Sequence, residues 1–241
     1  MFDKRIVTIH DVATDTLAPK RLRRYLKWIQ RIGYKFVSID QLLNEKRQKK
    51  LITLTIDDAY SSTISETLSI LEEFDITALL FVPTGLLNHS KNDPELLAND
   101  CYRNKSTMTW DDLHVWIEHG QQIGFHTDKH LDLFHSSNEL IERDFTNGMK
   151  ALHGKGINTP YFAYPKGFLP QDRLFFESLL EKNNIKYAFT INHGKVDSVD
   201  RYYINRVCLG NNEPLFWSIL KTIGATDRFF YKKRQHPEQK I

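Results

Sequence analysis

Two adjacent aspartates and two histidines four residues apart are the side chains whose types and spacing could do chemistry. Asp57 and Asp58 lie in TIDDAY, His126 and His130 in GFHTDKH. On a helix, a four-residue spacing sets both imidazoles on one face about 6 Å apart, within reach of a single metal ion. Adjacent carboxylates leaving a strand point in different directions, so one can bind a metal while the other accepts a proton. Two histidines and one carboxylate also make a recognised ligand set with positions left for water and substrate. Each pair has an ordinary reading beside this one. Asp57-Asp58 would cap a helix expected from Ser61, and the histidines would sit exposed near a helix start. The zinc-protease pattern HExxH is absent, so that chemistry lacks its general base.

The elements that must position these residues alternate. Short apolar, β-branched runs occur at Arg5–His10, Leu51–Asp57, Ala78–Val82, Gln122–His126, Tyr161–Tyr164, Tyr187–Ile191 and Tyr202–Val207. Helical periodicity marks Pro19–Ile32, Ser61–Phe74, Trp110–Gly120, Asn138–His153, Gln171–Asn183 and Glu213–Ile223. Thr109 with Asp112 predicts a capped start for the third helix. The polar stretch Asn88–Ser106 reads as a loop insertion near a functional face. Such alternation predicts one α/β domain around a mostly parallel sheet. His10-Asp11, Asp57-Asp58, His126–His130 and Pro165-Lys166-Gly167 then all fall at carboxyl ends of strands, where α/β barrels and open α/β sheets build active sites.

Composition narrows the class. The 241 residues are 41% hydrophobic and 12% aromatic, which excludes a disordered chain. The net charge of +3 hides a split: +9 over residues 20–50, +4 over the tail 228–241, and −10 elsewhere. A modest total argues against a dedicated nucleic-acid binder, while the split suggests an anionic partner, such as anionic lipid or a phosphate-bearing carrier. In PKRLRRYLKWIQRIGYK, residues Leu22, Leu26, Trp28 and Ile29 can face a core and leave the cations outside. No apolar run reaches the roughly 18–20 residues of a membrane span. The N-terminal residues show no secretory apolar region, so a cytoplasmic protein, peripheral at most to the inner membrane face, is expected. Cys101 and Cys208 have no CxxC spacing and are expected as reduced thiols.

With these residues in place, the sequence resembles the polysaccharide deacetylases, the NodB-homology group of carbohydrate esterase family 4. TIDDAY is similar to their TFDDG motif, GFHTDKH to H-S/T-x-x-H, FAYPKG to the proline-containing third motif, and INRV to a late element; the resemblance runs in order from about residue 5 to 210. It implies a distorted (β/α)7-type barrel in a single domain of about residues 5–225, with the basic tail beyond. It implies a metal-dependent hydrolase that removes N-acetyl, or another N-acyl, groups from an amino-sugar glycan or its precursor. Residue by residue, it implies Asp57 as general base, Asp58, His126 and His130 as ligands of Zn²⁺ or another divalent ion, and Thr127 as a tie for the loop. The backbone N–H of Lys166 would help hold the oxyanion.

The match has gaps. No late L-x-H histidine follows Arg206, so the general acid falls to His10, in an IHDV element similar to that of the biofilm poly-N-acetylglucosamine deacetylases, or else to His193 in INHG. The arginine that usually opens motif three is Ala163; Arg206 either substitutes for it beside Asp57 or forms a plain ion pair at a strand end. The glycine of TFDDG is Ala59. Other readings stay open: a carbohydrate-binding relic, a deformylase or deacetylase of a lipid-linked sugar, and a non-haem iron oxygenase, which uses the same ligand set.

Overall fold

The structure, a computed structural model, describes residues 4–13, 16–47, 50–97, 99–196, 200–210 and 213–229. Strand β1 (Arg5–Ile9) leads to helix α1 (Pro19–Arg31), then β2 (Lys35–Phe36), α2 (Ile39–Asn44) and β3 (Leu51–Ile56). A π-helical turn, Thr63–Thr67, opens into α3 (Leu68–Glu73), followed by β4 (Leu79–Val82), α4 (Pro94–Leu97), α5 (Trp110–Glu118) and β5 (Gln122–Phe125). The chain ends with α6 (Asn138–Gly154), β6 (Tyr161–Ala163), α7 (Arg173–Lys182), β7 (Tyr187–Phe189), β8 (Val207–Cys208) and α8 (Leu215–Thr222). The basic tail beyond Phe229 lies outside the described residues.

All the strand pairs are parallel, in the order β7-β6-β5-β4-β3-β1-β8, with β2 beside the start of β3. The expected strand Tyr202–Val207 is split: Ile204 bridges to Phe189 beside β7, while Val207 and Cys208 pair with Val7 and Thr8 of β1. That split brings the two edges of the sheet together and makes the single-domain barrel a distorted one.

Two apolar layers follow from the strand period of two. Val7, Ile9, Leu54 and Ile56 point outward into a core shared with α1, α3, α5, α6 and α7. Ile6, Leu51, Leu79, Phe81, Tyr161, Ala163, Phe189 and Ile204 fill the barrel interior. On α1 the stripe Leu22, Tyr25, Leu26 and Ile29 is buried. Trp28, expected on that face, is instead 44% exposed under the Arg31 guanidinium. Tyr25, three residues earlier, takes the inward position and bonds Thr222 of α8 at 2.8 Å. Both thiols are free. Among the described residues, no helix is long and apolar enough to cross a membrane.

Candidate active site

Strand register assembles the site. Ile9 pairs with Ile56, so the next residues, His10 and Asp57, leave the sheet side by side. Asp57 N donates to Ile9 O, and His10 Nε2 lies 4.0 Å from Asp57 Oδ2. Arg206, just before β8, starts deep in the barrel at the level of Ile6 and reaches upward. Its Nε donates to Thr190 O, its Nη1 to Thr8 and Thr55 hydroxyls, and its fork closes on Asp57 at 2.6 and 2.8 Å. The Phe81 ring lies against the guanidinium at 5.1 Å. Of the two readings left open for Arg206, the structure shows a bidentate clamp on Asp57, both partners buried.

Asp58, His126 and His130 converge. Asp58 Oδ1 is 3.2 Å from His130 Nε2 and 3.6 Å from His126 Nε2, and all three residues are buried. Tetrahedral coordination with bonds of about 2.0–2.1 Å separates ligand atoms by about 3.4 Å, so this donor set fits a zinc-sized ion. His126 Nδ1 donates to Ala163 O at 2.8 Å, which orients the ring and turns Nε2 toward Asp58. His130 Nδ1 is buried without a hydrogen-bond partner among the described residues.

The histidines are not on a helix, contrary to the expectation from their spacing. Residues 126–130 form a loop in which Thr127 (φ 64°) and His130 (φ 51°) are left-handed. Thr127 Oγ1 accepts from Leu131 N, and Asp144 of α6 accepts from the N–H groups of Asp128 and Lys129. Nor does the aspartate pair cap a helix: Asp58 and Ala59 are themselves left-handed, at φ 76° and 50°. Lys166, in the turn after β6, has φ 55°. Among the described residues, the left-handed residues that are not Gly, Asn or Asp are Ala59, Thr127, His130 and Lys166, and the first three flank or form the Asp58, His126 and His130 cluster. That conformation costs an L-residue about 1–2 kcal/mol, strain that concentrates where function requires it.

Charge sets the protonation states. Burial would protonate Asp57, but the Arg206 and His126 charges outweigh it and lower its pKa. Burial acts likewise on Asp58, and the charge of His130 with hydrogen bonds from both histidines holds it well below the usual carboxylate range. His10 is one-third exposed. Partial burial would lower its pKa, but the Cys208 sulfur and the Asp58 and Asp57 carboxylates push it up to about 10. His193 does not reach the cluster. Its Nε2 meets Asp227 at 3.1 Å, and Asp227 is gripped by Arg5, the first residue of β1 and so the far end of that strand from His10.

Sequence reasoning missed Tyr102 and Lys105, hidden in the stretch read as irregular. Tyr102 is fully buried with its hydroxyl 3.2 Å from Asp58 Oδ1, and Lys105 Nζ bonds Asp11 at 2.6 Å. The only available signal was aromatic and basic residues in an otherwise polar loop.

Fold and cluster define a class: a parallel (β/α) barrel with a buried two-histidine, one-carboxylate donor set and an arginine-clamped aspartate at its strand ends. Within that class, the family model described as polysaccharide deacetylase matches residues 44–179, over half of the chain. The chain belongs to the polysaccharide deacetylase family. Among solved structures, IcaB from Ammonifex degensii superposes with a TM-score of 0.78 at 20% identity, covering 92% of this chain and 96% of that one. The Streptococcus pyogenes deacetylase PplD, in complex with acetate, gives 0.72 at 22%, covering 91% and 97%. A de-N-acetylase from Aggregatibacter actinomycetemcomitans gives 0.72 at 19%, covering 90% and 98%. These likenesses establish the fold. A search of curated protein sequences finds no match.

Proposed function

We propose that the protein is a metal-dependent N-deacetylase of an amino-sugar glycan or glycan precursor, its catalytic unit spanning about residues 5–225. The observation that carries this reading is the convergence of Asp58, His126 and His130 beside the separately clamped Asp57. Asp58, His126 and His130 would hold Zn²⁺ or another divalent ion, which supplies Lewis acidity toward the acyl carbonyl and the attacking water. Asp57, kept ionised by Arg206, accepts the proton of that water. His10, carrying its proton at neutral pH, delivers it to the departing amine. The backbone N–H of Lys166, in a left-handed turn after β6, would hold the developing oxyanion, a donor worth about 3–4 kcal/mol when well placed. Exposed Phe134 and Phe168, on the loops after His130 and Lys166, offer apolar faces to neighbouring sugar rings. The same proposal includes contact with anionic lipid or a phosphate-bearing carrier through the cations of α1.

Zinc content tests the centre directly. Wild-type protein should bind one equivalent, and His126→Ala with His130→Ala should bind none; full occupancy in the double variant removes this ligand assignment. His10→Ala should lose acetate release while keeping its metal, and undiminished release would end the acid role of His10.

A further inference from the structure

The segment between β4 and α5 has no part in the chemistry described above, yet it docks along the Asp57–Asp58 turn. Ser61 N donates to Ser106 O at 2.9 Å and Met108 N to Ala59 O at 2.8 Å, while Tyr60 and Thr107 form an antiparallel bridge. Tyr60 donates to Cys101 O at 2.6 Å, and Lys105 pins the segment to Asp11. Tyr102 is at its centre. Its ring packs edge-on to His130 at 5.5 Å, and its hydroxyl meets Asp58 Oδ1 at 3.2 Å and Asp58 O at 3.3 Å. Oδ1 is also the oxygen that faces both histidine Nε2 atoms.

We infer that Tyr102 is a positioning residue of the metal centre: its hydroxyl occupies one lone pair of Asp58 Oδ1 and its ring walls His130. The carboxylate then presents a single, already oriented oxygen to a divalent cation. The phenol suits this task because, among the described residues, its hydroxyl bonds only the two Asp58 oxygens, and full burial keeps water from competing. Partners that orient first ligands in this way typically change metal affinity about 10–100-fold when removed. The inference rests on the reading of Asp58, His126 and His130 as ligands.

The test is Tyr102→Phe, which keeps the ring and removes only the hydroxyl. Zinc affinity, measured by competition with a chromogenic chelator, should weaken about 10–100-fold. The absorption spectrum of the Co²⁺-loaded protein should shift as the Asp58 oxygen changes its donation. Lys105→Met is the control, since it removes the anchor that ties the same segment to Asp11. If the segment serves only to hold the fold, both variants will weaken zinc binding equally, which would overturn the inference even where Tyr102→Phe is destabilised. An unchanged affinity and cobalt spectrum in Tyr102→Phe would overturn it as well. Wild-type protein that binds no zinc would contradict the metal reading itself, whereas wild-type binding with an indifferent Tyr102→Phe contradicts only the role of Tyr102.

Discussion

At the residue scale, the clamp on Asp57 connects stability with activity. Arg206 and Asp57 are both buried, and removing one partner leaves the other charge without compensation. Arg206→Met should therefore destabilise the fold by about 3–5 kcal/mol. It should also lower kcat/KM at least about 100-fold, because the base is protonated more easily and no longer held in place. Thermal melting and acetate-release kinetics check both. A variant with normal kcat/KM would show that Arg206 is structural alone. Sequence made the candidate site legible because Asp57, Asp58, His126 and His130 are paired polar residues at the ends of apolar runs. Their conformations were not legible. A four-residue spacing describes a helix and a left-handed loop equally well, and the bond from Leu131 N to Thr127 Oγ1 selects the loop. Tyr102 was hidden for a related reason: a lone aromatic in a polar stretch does not show what it will pack against.

At the element scale, strand neighbours place the clamp. Phe81 of β4 lies opposite Gly124 of β5, and a Cβ at Gly124 would stand 2.4 Å from the Phe81 ring. That ring in turn lies against the Arg206 guanidinium. Gly124→Ala should destabilise by about 1–3 kcal/mol, the usual range for overpacking. It should also reduce activity through Phe81 and Arg206, with metal content unchanged. Melting behaviour like wild type would contradict this account of the interior. The strand and helix alternation was legible from periodicity, and the barrel class with it. The short β2, α2 and α4 were not, since two to six residues carry too little pattern. The split last strand was also out of reach, because its two halves answer to different neighbours, Phe189 on one side and Val7 on the other.

At the scale of the whole molecule, the charge split has two structural meanings. Asp227, just after α8, binds Arg5 of β1 and His193, tying the end of the described chain to its beginning. Burial would raise the Asp227 pKa, but the His193 hydrogen bond and the Arg5 charge outweigh it and lower it. A depressed carboxylate contributes stability above its unfolded pKa, and that contribution is lost as pH falls through the folded value. Asp227→Asn should thus be less stable than wild type at neutral pH, and the gap should close on acidification below about pH 4. A gap independent of pH would contradict the pairing. The +9 segment places Lys20, Arg24, Lys27 and Arg31 on the exposed side of α1, whose apolar stripe is already buried. Contact with anionic lipid would therefore be electrostatic. Vesicles containing anionic lipid should retain the protein at low salt and release it as salt rises, and Arg24→Glu with Lys27→Glu should abolish retention. No retention at low salt would end this part of the proposal. The most direct measurement of the central claim is acetate released from N-acetylglucosamine oligomers by chelator-treated protein, before and after one equivalent of Zn²⁺. Metal-dependent deacetylation requires no release before and full release after, and release that ignores the chelator would rule it out.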